Sequence, residues 1–261
     1  MEIKFVNYQY KTKNISFEIP KSSIIGVTGS QIDEFIPILC LKSLNKGQIT
    51  VNNEKVNKDN IYEYKRRISY VDRDLNTHKN IIIDLFNEHI KRNNLTIKDP
   101  TKKIKDSLRI VELSEDILTK DIYKLSSSEK KIIQFAIALL SNPNIIVLYE
   151  PFKCLDKHNE KKLIMLIQRL KEQFKKTIII ISDNSNILYK YTNEMIFIKN
   201  DDIFFTGPTN EVYLRVEYLK RNKFEIPDII EFTHLAKKKK EVKIDYHKDV
   251  RDIIKDIYKH I

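Results

Sequence analysis

An α/β fold built on a mostly parallel sheet, with helices on both faces, is the architecture this chain predicts, and two observations carry it. Short, largely apolar runs at residues 23–27, 145–148 and 177–181 recur between longer helical patterns, which is how strands buried on both faces read. Residues 125–156 then join structure to chemistry. A serine-rich turn opens a helix, Asn142-Pro143 ends it, a buried strand follows, and the strand delivers Glu150 and then Leu155-Asp156. A length of 261 residues suffices for the core of one such domain with a small addition.

The elements follow in order. Residues 2–10 alternate in the manner of an edge strand, and residues 15–19 give a second strand after a Lys11-Thr12-Lys13-Asn14 turn, together an N-terminal antiparallel β subdomain. The buried strand at 23–27 runs into a glycine-bearing turn at 26–29. A helix is expected over 33–44, with Pro37 close enough to its first turn to be borne. Strands return at 47–51 and 68–71. From about 75 to 140 the pattern is helical, with candidates at 81–90, 102–113 and 126–140, an inserted helical subdomain. After the strand at 145–148 come a helix over 157–174, the strand at 177–181, and a closing hairpin from 195–198 and 202–205. Beyond Gly207-Pro208 the texture changes to short amphipathic helices. The expected organisation is a main domain over 1–208 and a helical appendage over 209–261, without internal repeats.

Composition excludes several classes. The two cysteines, Cys40 and Cys154, lie far apart with no partner motif, so neither a disulfide framework nor a metal site is expected, and a reduced cytoplasmic setting fits. No apolar run approaches the roughly 18 residues of a membrane helix, so the chain is not expected to span a membrane by itself or to be exported. A net charge of +11 ordinarily raises nucleic acid as a partner. Here lysine is spread along the chain, dense only at 237–240 and without interleaved aromatics; this is a solvated surface, and nucleic-acid binding is not expected.

The turn Gly26-Val27-Thr28-Gly29-Ser30-Gln31-Ile32-Asp33 lies between strand and helix, the context in which Gly-x-x-x-x-Gly-Lys-Ser/Thr wraps phosphates with backbone N–H groups. Counted from Gly26, Gln31 stands for the second glycine, Ile32 for the lysine and Asp33 for the hydroxyl. A cation is lost there, and Asp33 and Glu34 add two anions; like charges about 4 Å apart cost on the order of 4 kcal/mol at an effective dielectric near 20. The same carboxylates suit a helix N-terminus, and an ordinary strand-turn-helix is the plainer reading.

The block at 125–156 resembles the signature, Walker B strand and D-loop of ABC ATPases. Ser126, Ser127, Ser128 and Glu129 fall in the signature, Glu150 at the general base, and Asp156 in the D-loop. The resemblance puts Tyr149 where a magnesium-side Asp is expected, Arg73 at the Q-loop glutamine, and Asp183 at the switch histidine. It puts Tyr10 at the aromatic that stacks on adenine, although an edge-strand residue is an equal reading. Gly26, Gly29, Ser30, Gln31, Ile32, Asp33 and Arg73 would line the chain's own nucleotide site. The plainer readings are a Ser-x-x-Glu capping box for Ser126 and Glu129 and a helix cap for Asp183.

The tail narrows the resemblance. Phe205-Thr206-Gly207-Pro208-Thr209-Asn210-Glu211-Val212, with Phe224 to Asp228 and Thr233 to Ala236, is similar to that of energy-coupling-factor ATPases. This implies a P-loop NTPase-like ABC cassette working with a second ABC ATPase subunit, a membrane scaffold and a substrate-binding membrane subunit, peripheral on the inner face of the cell membrane. ATP and magnesium would act through the partner's composite site, to which Ser126, Ser127, Ser128, Glu129 and Asp156 would turn. The expected function is the non-hydrolysing half of a heterodimer for micronutrient uptake; the alternative is a cassette-derived scaffold or regulatory protein with no transport role.

Overall fold

The computed structural model describes residues 1–75, 77–153, 155–240 and 245–259; Cys154 lies outside them. The chain opens with strands β1 (Ile3–Tyr10), β2 (Lys13–Ile19) and β3 (Ile24–Gly29), followed by helix α1 (Ile32–Leu39). Strands β4 (Gln48–Val51) and β5 (Glu54–Lys55), helix α2 (Ile61–Lys65) and strand β6 (Ile68–Val71) come next. Helices α3 (Ile82–Arg92), α4 (Pro100–Ile110) and α5 (Ser127–Leu139) form the inserted layer. The chain then alternates through β7 (Ile145–Tyr149), α6 (Lys157–Glu172), β8 (Thr177–Ile181), α7 (Ser185–Tyr191), β9 (Glu194–Lys199) and β10 (Asp202–Pro208). Helices α8 (Thr209–Tyr213), α9 (Val216–Arg221), α10 (Asp228–Lys240) and α11 (Val250–Lys259) complete it.

The larger sheet has the order β10-β9-β3-β8-β7-β6, parallel throughout except for β10. Its central strands β7 and β8 are apolar through their inner positions because both faces are covered. Ile145 and Val147 of β7, with Ile179 and Ile181 of β8, face α1 and the small sheet, while Ile146, Leu148, Ile178 and Ile180 face the helical layer. The β9–β10 hairpin turns at Asn200 and Asp201, both left-handed at φ 51° and 60°, which suits the twist of a tight hairpin.

The small sheet has the order β2-β1-β4-β5, so β1 is central rather than an edge. Strand β4 returns after α1 and takes the free side of β1, from Ile3 opposite Val51 to Val6 opposite Gln48. Helix α1 is shorter than its pattern. Pro37, its sixth residue, supplies no N–H to the helix ladder, and Leu41 turns left-handed at φ 51°. The Lys42 N–H then closes on the Pro37 carbonyl at 2.8 Å and the Leu41 N–H on that of Ile38 at 3.0 Å, a Schellman ending without glycine. Helix α2, five residues long, is too short to show a period.

Val212, Tyr213, Val216, Leu219 and Ile230 pack in the same core cluster as Leu85, Phe86 and Phe197. The change at 208/209 is therefore one of secondary structure, and α8 and α9 share the core of the main domain. Among the described residues no helix is long and apolar enough to cross a membrane.

Gly29 ends β3 at φ 133°, and a Cβ there would lie 1.9 Å from the Ile198 carbonyl oxygen. Gly29→Ala is expected to cost more than about 1 kcal/mol of stability, seen as a lower urea midpoint with an unchanged slope.

Candidate functional site

The carboxyl ends of β3, β7 and β8 bring Gly29-Ser30-Gln31, Tyr149-Glu150 and Ser182-Asp183 together, with Asp72 and Arg73 following β6. Such strand ends are the usual place for a ligand in an open α/β sheet. The loop itself is shorter than the sequence implies. Gly26 lies within β3, opposite Ile180 and Met195, and an added Cβ would sit 2.4 Å from the Met195 sulfur. Its smallness serves packing, and Ser30 and Gln31 alone link strand to helix. The Ser30 N–H donates to the Ile198 carbonyl at 3.0 Å, and Gln31, left-handed at φ 58°, precedes α1 without a side-chain cap.

Counted from Gly26, the motif's glycine, lysine and hydroxyl positions fall on Gln31, Ile32 and Asp33. Counted from Gly29, where the strand ends, they fall on Glu34, Phe35 and Ile36, all within α1. Neither register supplies a lysine or a hydroxyl, and Ile32, Phe35 and Ile36 are buried in the core.

The space beyond is organised by Tyr149. The Asp33 carboxylate lines the same cavity as Tyr149, and the Arg73 guanidinium lies 5.5 Å from the Tyr149 ring centroid. Burial, then the neighbouring Asp33 carboxylate, pushes the phenol above its ordinary pKa. A cation over a tyrosine face contributes on the order of 0.5–2 kcal/mol, more as water is excluded. A cavity of about 330 Å³ opens beside this group, between Pro37, Lys42, Asp72 and Arg73.

Glu150 holds a left-handed backbone at φ 45°. Its carboxylate accepts from the Ser182 hydroxyl at 3.0 Å and the Asp183 N–H at 2.9 Å, while its own N–H donates to the Ile181 carbonyl at 2.8 Å. Glu150 thus ties the end of β7 to the end of β8. Asp183 is not the cap of α7. Asn184 is, accepting from the Ile187 N–H at 3.1 Å, because the capping side chain must belong to the residue just before the first helical one.

Of the two readings of Tyr10, the strand residue describes the structure. The ring is 4% exposed and edge-on to Phe35 at 5.7 Å, and its hydroxyl has no hydrogen-bond partner among the described residues. Next to it, the Lys11 ammonium pairs with Glu34 and with Asp201 at 2.8 Å, raising its pKa. Asp33 and Glu34 therefore do not face each other unanswered: one meets Tyr149, the other Lys11.

At the opposite end, Ser126 caps α5. Its hydroxyl accepts from the Glu129 N–H at 3.2 Å and donates to the Glu129 carboxylate at 2.8 Å, which also takes the Ser126 N–H at 2.9 Å. These bonds hold the Glu129 carboxyl below its ordinary range. Ser127 is exposed and Ser128 buried. Asp156 caps α6 in the same way, accepting from the N–H groups of His158 and Asn159 at 2.9 Å. Sequence reading missed Lys131, which is 5% exposed on α5 and reaches the Asp72 carbonyl at 3.0 Å. Its signal was a lysine in register with Phe135 and Ala138 on an apolar stripe.

The two sheets around α1, the inserted helical layer and the strand-end loops together define an ATP-binding cassette. The ABC transporter family pattern matches residues 12–153, and the chain belongs to that family. Several of its relatives are energy-coupling-factor ATP-binding proteins, and another, 30% identical over 77% of this chain, is the "Phosphonates import ATP-binding protein PhnC" of Fusobacterium nucleatum. The chain is 26% identical over 242 residues to "Energy-coupling factor transporter ATP-binding protein EcfA2" of Acetivibrio thermocellus, covering 87% of this chain and 82% of that one. It is likewise 26% identical to EcfA3 of Oenococcus oeni, over 99% of this chain and 97% of the other. The structure of cbiO1 from Clostridium perfringens superposes with a TM-score of 0.71 at 18% identity, over 89% of this chain and 98% of that one, a likeness of fold.

Loss of the Ser126 cap by Ser126→Ala is expected to cost about 1 kcal/mol of stability, measured by urea unfolding. No change would mean that the reciprocal bonds to Glu129 contribute nothing in solution.

Proposed function

We propose that this chain is the non-hydrolysing half of a pair of ATP-binding cassettes in an energy-coupling-factor type transporter for micronutrient uptake. It would sit at the inner face of the cell membrane with a second ATPase subunit, a membrane scaffold and a substrate-binding membrane subunit. The observation that carries this reading is that Tyr149, Arg73 and Asp33 line its own strand-end site, where the motifs call for a magnesium-side Asp, a Gln and a hydroxyl. The residues present do not fit a magnesium-held triphosphate. No lysine or hydroxyl stands at the motif's lysine and hydroxyl positions in either register, the Ser30 N–H is spent on Ile198, Tyr10 is packed away, and a carboxylate occupies the helix start. Glu150, bonded to Ser182 and Asp183, acts as a tie between strands.

What remains available is the side that would serve a partner. Ser126 and Ser127 are exposed at the N-terminus of a long helix, where N–H groups and the helix dipole favour an anion. One observation favours the second reading, a scaffold without transport. The Glu129 carboxylate, held ionised by Ser126, occupies that same helix end and would repel a phosphate.

The purified chain is expected to show no ATPase above background, and Glu150→Gln in an assembled complex should leave turnover unchanged. A large fall in turnover would overturn the silent assignment.

The partner-facing role needs a variant that moves the helix-end carboxylate onto the exposed Ser126 position without breaking the cap. Ser126→Asp alone would set two carboxylates against each other, since Ser126 now donates to Glu129. Combined with Glu129→Gln, it keeps both a capping acceptor and a reciprocal partner. The pair is expected to depress ATPase of the complex by at least tenfold, equivalent to about 1.4 kcal/mol, with little change in stability. Normal turnover and transport would favour the scaffold reading.

A further inference from the structure

Residues 72–75 carry the chain from β6 into the helical layer, and they are gripped from two directions. From the layer, the Lys131 ammonium, buried on α5, donates to the carbonyls of Asp72 and Arg73. From the sheet, the Arg73 guanidinium lies over the ring of Tyr149, at the end of β7, and Asp33 at the start of α1 lines the same cavity. The result is one unbroken path from α5 through the connecting segment to β7. A second tie runs beside it, from the Ser69 hydroxyl on β6 to the Ala138 carbonyl on α5 at 2.9 Å.

The chemistry of the path is unusual in where its charges sit. A buried ammonium is tolerated only when its hydrogen bonds are met, and two carbonyls whose donor is removed are left to find another. Bonds with a charged donor are also stronger than neutral ones. Lys131 therefore fixes the backbone at Asp72 and Arg73, and the side chain of Arg73 is launched from that fixed backbone onto Tyr149. Asp33 supplies an opposite charge beside the pair.

We propose that Lys131 and Arg73 form a clasp holding the helical layer on the sheet without any nucleotide. Arg73 is a resident cation in the strand-end site, and Lys131 is the residue that positions it. The clasp rests on the reading of that site as silent only for its biological use: the helical layer would keep one orientation through the partner's nucleotide cycle.

The test is a pulsed-EPR distance between the layer and the core in the full-length chain. Labels on ketone-bearing side chains introduced at Lys102 on α4 and Lys55 on β5, both exposed, leave the cysteines untouched. Without nucleotide, the otherwise unchanged chain should give one narrow distribution. Arg73→Gln and Lys131→Met should each broaden it or shift it beyond its original width, while Lys131→Arg, which keeps a cationic donor, should restore it. Circular dichroism separates this from unfolding, and Arg73→Gln, partly exposed, carries the test if Lys131→Met does not fold. A broad distribution in the parent chain, or no change in either variant, would overturn the clasp. Addition of ATP with magnesium tests the other reading separately. A shift in the parent chain would contradict the silent site, yet leave the clasp standing where the variants still broaden the nucleotide-free distribution.

Discussion

Covering β7 and β8 on both faces confines their polar groups to the strand ends, Thr177 at the amino end of β8 and a cluster after the carboxyl ends of both. Ile145 to Leu148 and Ile178 to Ile181 are without exposed surface, so no polar atom can be carried in the body of either strand. Tyr149, Glu150, Ser182 and Asp183 come directly after them for that reason. The same constraint explains α1, which lies between the two sheets and must give Phe35, Ile36 and Leu39 to the core while its first turn stays at the rim. A site at these strand ends is a consequence of the architecture, and what the site can do is decided by a few rim residues.

Those residues balance one another's charge. Asp33 meets Tyr149, Tyr149 lies under Arg73, Arg73 pairs with Asp74 at 3.3 Å, and Glu34 meets Lys11, which also holds Asp201. Several of these groups are partly exposed, so each pair contributes modestly and salt weakens it. Their combined effect is geometric. A ligand entering this rim would have to displace contacts that the chain makes with itself, and it would find two carboxylates where a triphosphate needs cations.

How much of this was legible in sequence depended on range. Largely apolar strands and the capping box at Ser126 are local patterns, and both stand where the residues placed them. The central position of β1 was hidden, because alternation reports which face is buried and not which strand lies alongside; β4, some forty residues on, decided it. The register of the phosphate-type loop was hidden for a similar reason. Gly26 and Gly29 look alike in a string, but one serves packing against Met195 and the other ends the strand. The partners of Arg73 and Tyr149 lie on separate elements and had no signal at all, while Lys131 had one that only burial makes readable.

The two ends of the cassette differ in how far their polar groups are committed. At the strand ends, Tyr149 and Arg73 engage groups from other elements, so exchanging one of them alters α1, β7 and the connecting segment together. At the start of α5, Ser126 and Glu129 bond each other within one helical turn, and Asp156 bonds His158 and Asn159 within the first turn of α6. Local caps of this kind can give up a bond to an incoming group at a cost of about 1 kcal/mol and re-form afterwards. A site woven into three elements cannot do so without moving the helical layer. If one end of this molecule yields to a partner, the physics of its hydrogen bonds assigns that part to the helix ends.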